Sequence, residues 1–249
     1  MSRWKAAGIH FCLSVVVVSL IFLGLIALWY PPELWRMAKV AGLVMILGSV
    51  DVTLGPLLTL AVFKHGKRGM KFDLAVITLL QIAGLVYGLH VMFQSRPVFL
   101  VAVPDRFELV FANEIEAENL RQGAPGFNTL GWFTPERVGA RIPTEGEALR
   151  ERMLEVMAGN RLERNPKYFV DYGDVAGGML GRARVINQDP QTPLEKEILR
   201  RVAEKALLPG DVVYHDLAST RGWAGILLDA KTGAIVGPIN VDPVTLDEP

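Results

Sequence analysis

Cysteine is nearly absent: the 249 residues hold one, Cys12. The chain beyond it must fold without disulfides, and zinc or iron–sulfur cysteine clusters are excluded. Histidine is scarce too. The four stand at 10, 65, 90 and 215, and no pair has metal-ligand spacing. The glycine-rich run GDVAGGMLG (173–181) lacks the lysine and threonine of a phosphate loop and reads as a turning loop. His215 and Asp216 are adjacent, so a strand would send them to opposite faces. Ser219, Thr220 and Arg221 follow without a nucleophile elbow. Catalytic, cofactor-binding and metal-binding residues are therefore all expected to be lacking. No internal repeat is present.

Charge is missing from three long stretches. Residues 6–29 hold no titratable group except His10 and Cys12, residues 40–63 are interrupted only by Asp51, and 74–93 carry no acid or base except His90. Each is about 20 residues or longer, the length that crosses roughly 30 Å of hydrocarbon. Net charge is zero overall, but residues 1–95 hold eight Lys/Arg against three acids, and 96–249 hold eighteen against twenty-three. Such asymmetry implies two parts in different surroundings. The expected fold is a membrane domain over 1–95, with three transmembrane helices at about 6–29, 40–63 and 73–93, followed by a small extracytoplasmic α+β domain over 96–249.

Short loops set the expected orientation. KHGKRGMK (64–71) carries four Lys/Arg and the amino end carries Arg3 and Lys5. The positive-inside rule puts both in the cytoplasm and the C-terminal part in the periplasm of a bacterial inner membrane. Trp29, Tyr30, Trp35 and Phe93 form an aromatic belt at the opposite interface. The first run reads as a retained anchor, because it ends in Trp29-Tyr30-Pro31-Pro32 without a small-x-small cleavage pattern. Topology and anionic lipid explain the basic loop, so no nucleic acid partner is expected.

The run ILGSVDVTLGPLLTLAVF (46–63) carries the anomaly. Fourteen of its eighteen residues are apolar, Gly or Pro, yet Asp51 stands about 12 residues from either end of the longer apolar stretch 40–63, roughly 18 Å deep at 1.5 Å per residue. Gln81 lies equally deep in the third run, so Asp51 and Gln81 are expected to form a buried hydrogen-bonded pair. Ser49, Thr53 and Thr78 are secondary candidates. Gly55 and Leu58 share the Asp51 face, and Gly55-Pro56 should kink the helix and free the Val52 carbonyl. An intramembrane acid is a functional hypothesis by default. Three roles stay open: structural glue, reception of a group from a partner helix, and proton or ion carriage.

Beyond residue 96 the pattern is mixed. Val98–Val103 and Phe107–Phe111 predict a hairpin about Pro104-Asp105. A short helix is expected over 113–123, capped by Asn113, and mostly loop over 124–143. A helix over 144–158 has a Thr144/Glu147 capping box and a stripe of Leu149, Met153, Val156 and Met157 assigned to the core. The helix over 192–207 should bury Leu194, Ile198, Val202 and Ala206 and stop at Pro209-Gly210. Strands are expected over 211–217 and, as a hairpin turning at 230–233, over 223–241. Asp105, Arg106, Phe107, Trp132 and Phe133 are candidate partner contacts, with core packing the preferred role for Trp132 and Phe133.

Several of these residues fall in an ordered pattern. Trp29-Tyr30-Pro31, Asp51-Val52, Gly55-Pro56-Leu57-Leu58-Thr59, Lys71-Phe72-Asp73-Leu74-Ala75, Gln81, Tyr87-Gly88, Arg96-Pro97 and Asp105-Arg106-Phe107 make the sequence resemble the type IV pilin accessory protein family, the TfpX/TfpZ and FimB-like group. The resemblance is densest over the first 110 residues. It implies a non-enzymatic inner-membrane protein that supports assembly or surface presentation of type IV pili, with pilin or the pilus assembly machinery and membrane lipid as partners. It carries no catalytic residue and no cofactor. The competing reading is a membrane-anchored periplasmic sensor or ligand-binding adaptor.

Overall fold

A long apolar run free of proline forms the first long helix despite Gly8, Gly24 and the four valines at 15–18, and a computed structural model shows it as α1 (Arg3–Leu28). The structure describes residues 2–64 and 69–246. The chain divides into two units, one of Met1–Leu28 with Lys39–Ser95, the other of Trp29–Ala38 with Arg96–Pro249.

In the first unit all three apolar runs are helical, but only α1 and α4 (Met70–Gln94) are long and apolar enough to cross a membrane as single helices. The expected second span is not one continuous α-helix, so two single-helix spans stand where three were expected. It comprises α2 (Val40–Ser49), a π-helical turn (Val50–Leu54) and α3 (Gly55–Val62). Pro56 explains the break. It has no N–H to give to Val52 four residues back, and the turn just before it widens to i→i+5 geometry. The joints stay right-handed helical, with φ/ψ of −63°/−35° at Ser49, −68°/−38° at Leu54 and −60°/−54° at Gly55. Leu13, Leu20, Leu79, Leu80 and Val86 turn their apolar side chains outward, while Ser14, Asp51 and Thr59 are buried. That distribution inverts the soluble-protein pattern. His65, Lys67 and Arg68 of the expected basic loop lie outside the described residues.

The second unit is an α+β fold built on one mixed sheet of order β4-β3-β1-β2-β6-β7-β8. The expected hairpin forms its centre, with β1 (Pro97–Val103) antiparallel to β2 (Arg106–Phe111) and Ala102 facing Phe107 across the register. β1 pairs in parallel with β3 (Glu136–Ala140), inside a segment read as loop, and β3 pairs with β4 (Phe169–Asp171). On the other side β2 meets β6 (Val212–Ala218) in parallel. β6 continues antiparallel to β7 (Trp223–Asp229), which pairs with β8 (Ile235–Ile239), and the short β5 (Arg184–Val185) also pairs with β6.

Helices cover the sheet. The first short one is α5 (Ala117–Arg121); it begins after a 3-10 turn at Ala112–Glu114, so Asn113 does not cap it. In α6 (Gly146–Met157) the expected Thr144/Glu147 box is absent and Met153, Val156 and Met157 are exposed; Arg152 is the buried residue instead. The glycine-rich run is not a loop but α7 (Gly173–Leu180). Tertiary packing overrides its poor propensity: Val175 sits on Gly139, where any Cβ would overlap it, and Met179 is buried. α8 (Pro193–Glu204) follows the expected pattern, with a Thr192/Glu195 capping box and Leu194, Ile198 and Val202 packed with Tyr214, Leu227 and Ile239. It ends earlier than expected. Ala206 stands exposed at φ 55°, in the left-handed position that closes a helix, rather than on the buried face. A last turn, α9, spans Pro243–Leu246.

The segment between α1 and α2 is integral to this unit. Tyr30 is fully buried, and Leu34, Met37 and Ala38 are nearly so. Trp29 gives its indole N–H to the Trp132 carbonyl at 2.7 Å, Lys205 Nζ meets Glu33 at 3.2 Å, and Gly222 lies against the Met37 backbone.

Candidate functional site

The anomalous acid sits inside the π turn, 6% exposed. Gln81 does reach it, but differently from expectation. The amide Nε2 donates to the Asp51 backbone carbonyl at 3.4 Å, not to its carboxylate. A widened turn takes a carbonyl off the regular i→i+4 ladder, which makes it available to a neighbouring helix. Gly55 makes room for this. A Cβ there would overlap the Gln81 side-chain amide, so Gly55 serves close helix approach as well as the Pro56 break.

The Asp51 carboxylate is thereby left incomplete. Its Oδ1 is buried without a hydrogen-bond partner among the described residues. It lines a cavity of about 150 Å³ together with His10, Leu13, Val17, Thr78 and Gln81. Beside it, His10 Nδ1 and Thr59 Oγ1 are 2.6 Å apart, joining α1 to α3. Residue-by-residue reading missed this pair. The available signals were His10, alone among apolar residues, and Thr59, two turns beyond Asp51 on the same helical face.

In the second unit the five candidate contacts separate. Asp105 is exposed in the β1–β2 turn and Arg106, half-buried, opens β2, where it pairs with Asp105 at 2.9 Å and with Glu108 at 2.7 Å. Burial pushes the Glu108 carboxyl above the usual carboxylate range, against the pull of Arg106. Phe107 is fully buried, with ring centroids 5.9 Å from Tyr172 and 5.7 Å from His215, and so offers no contact surface. Both faces of β2 are covered, since every residue from Phe107 to Phe111 is buried, and this corrects the place of Phe107 among the contacts. Trp132 and Phe133 are corrected the other way: at 69% and 60% exposure they are not core. Their backbone is held in place. Arg96 donates Nε and Nη2 to the Gly131 carbonyl at 3.0 and 2.8 Å, next to the Trp29 bond on Trp132. The loop thus presents two aromatic side chains from a fixed main chain.

The His215 region keeps the opposite-face geometry expected. His215 Nε2 lies 2.8 Å from the Met179 carbonyl, and Asp216 pairs with Arg184 at 2.8 Å. One further cavity, of about 340 Å³, is floored by Leu100, Leu109 and Leu217 and rimmed by Glu33, Arg137 and Lys205.

The chain thus combines an apolar helical unit carrying a buried acid with an α+β sheet unit. The chain is 25% identical to the fimbrial assembly protein of serogroup I of Dichelobacter nodosus, across 97% of this chain and 96% of the relative. It is 26% identical to the serogroup E1 protein of the same organism, with the same coverage. The protein of serogroups C1 and C2 is 29% identical over 120 residues, 47% of this chain and 92% of that relative. These relatives bear out the resemblance to the pilus accessory family and extend it beyond the first 110 residues. No protein-family model and no solved structure matches the chain.

Proposed function

We propose that this protein is a non-enzymatic inner-membrane accessory protein that supports assembly or surface presentation of type IV pilin by contacting pilin or the pilus machinery. The observation that carries the reading is similarity along nearly the whole chain to proteins named for fimbrial assembly.

A three-crossing topology, with the amino terminus cytoplasmic and the second unit periplasmic, accompanies the proposal. A parity argument supports it. Residues 29–38 and 96–249 fold into one unit, so both lie on the same side of a membrane. The chain between Ala38 and Arg96 must then cross an even number of times. α4 supplies one crossing, and the interrupted helix from Val40 to Val62 supplies the other, spanning roughly 33 Å at about 1.5 Å per residue. With α1 this makes three. The π turn does not forbid a crossing, because the helical path continues through it and the Asp51 carbonyl within it accepts from Gln81.

Co-purification tests the proposal. The affinity-tagged chain, extracted in mild detergent from piliated cells, is expected to bring down pilin or a component of the pilus machinery. Recovery of neither, with the tagged protein still functional, would count against it. The adaptor reading is favoured by one observation, the 340 Å³ cavity with its apolar floor and charged rim. Ligand-dependent thermal stabilisation, lost on filling the cavity with L217F, would support that reading instead.

A further inference from the structure

The cavity beside Asp51 has three properties that together define what would fill it. The first is chemical. The aspartate is more than nine-tenths buried, and its Oδ1 has no donor among the described residues. Gln81, the nearest amide, is spent on the backbone carbonyl instead. An orphaned carboxylate oxygen in an apolar setting is costly, and a hydrogen-bond donor placed against it relieves that cost. The second is size. About 150 Å³ is the scale of a benzene-sized group. One side chain fits; a cofactor does not. The third is access. The walls come from α1 and α4, and Leu13, Thr78 and Ile82 on the rim are exposed on the outward faces of those helices. If these helices span the bilayer, the opening faces lipid, and an occupant arrives laterally rather than from water.

We infer that this lateral cavity receives a hydrogen-bond-donating side chain, a hydroxyl, amide or ammonium, carried by the transmembrane helix of a pilin subunit. The inference rests on the proposed function for the identity of the partner. The chemistry of the partner group rests on Asp51 alone. Donor and acceptor would meet where water is scarce, so the bond would select the helix that carries the donor at the matching depth. Leu13 and Val17 on one wall and Ile82 on the other would pack against the flanking apolar residues of that helix. Gly55 and the π turn build the site, since together they bring Gln81 onto the carbonyl and leave the carboxylate for the guest.

In-cell photocrosslinking tests this with the full-length protein in piliated cells. A benzophenone amino acid is placed at Leu13 or Ile82 on the rim and, separately, at Trp132 in the second unit. Rim probes are expected to capture pilin. The adduct should fall by about fivefold or more in D51L, the scale of one interhelical hydrogen bond, and persist in D51N, which keeps an acceptor oxygen. T78F, which obstructs the mouth from an exposed position, should give the same loss and decides the matter if D51L fails to accumulate. Pilin capture that is indifferent to both variants would overturn the inference. So would rim adducts consisting only of lipid or of a second copy of this chain. Pilin captured at Trp132 but not at the rim would overturn it while leaving the proposed function standing; unaltered surface pili in a deletion strain would overturn the proposed function itself.

Discussion

Trp29 donates its indole N–H to the carbonyl oxygen of Trp132 at 2.7 Å, across 103 positions of sequence. The bond ties the segment after the first helix into the C-terminal sheet unit. Lys205 and Glu33 repeat the tie at 3.2 Å. Side-specific labelling checks the topology that follows. In a C12S background, E33C and K205C should both react with a membrane-impermeant maleimide in cells with a permeabilised outer membrane. K71C should react only after the inner membrane is opened. Opposite accessibility of E33C and K205C would contradict the shared unit.

Gly55 predicts a coupling. G55L drives a side chain into the Gln81 amide and should destabilise the helical unit by about 1–3 kcal/mol, as overpacking does. In a Q81A background the overlap is relieved, and the cost of G55L should shrink. Thermal unfolding in detergent of the four proteins of this cycle gives the interaction energy directly. Equal costs in both backgrounds would mean that the two residues do not meet.

Glu108 predicts a pH dependence. Its carboxyl is raised by burial, with the Arg106 bond opposing, so the folded state binds the proton more tightly than the unfolded chain. Its contribution to stability is then largest below the ordinary value of 4.5 and is lost as pH rises through the folded pKa. The stability of E108Q relative to the parent should therefore increase from that pH toward neutrality. Denaturant titrations along this range measure it, and a flat or falling difference would refute the assignment.

Ala206 predicts a gain. α8 closes with Leu207 N–H on the Val202 carbonyl at 3.2 Å and Ala206 N–H on that of Ala203 at 2.9 Å. This is the pairing that places its intervening residue in the left-handed region, where glycine costs least. A206G should stabilise the protein by about 1 kcal/mol. Melting curves should move upward; a lower melting temperature would contradict the conformation at φ 55°.

Trp132 and Phe133 predict indifference. Their side chains are exposed, so W132A/F133A should change stability by no more than about 0.5 kcal/mol. W29F removes the indole donor on the Trp132 carbonyl and should cost about 1 kcal/mol. A larger loss from the double substitution than from W29F would put the aromatic pair back in the core.

Elements with strong local signals were legible in the sequence. The β1–β2 hairpin announced itself by its apolar runs about Pro104-Asp105, and α8 by its apolar spacing and charge placement. Elements that depend on a distant neighbour were not. α7 has three glycines over eight residues and is helical because Val175 and Met179 dock on the sheet. β3 lies in a stretch of glycine, proline and aromatics and becomes a strand by pairing with both β1 and β4. Aromatic residues were the hardest to assign, because hydrophobicity does not tell Phe107, in a central strand covered on both faces, from Trp132, held outward by its own pinned backbone. At the candidate site, depth alone brought Asp51 and Gln81 together. Which atom of Asp51 would be bonded depended on the π turn, and the turn depended on Pro56.

The most direct test of a role in pilus assembly is the pilin partition in a deletion strain. Sheared surface pilin is measured against total cellular pilin, with and without complementation in trans. The account predicts a low surface fraction in the deletion strain, restored by the intact gene. An unchanged surface fraction, with pilin made at the normal level, would contradict it.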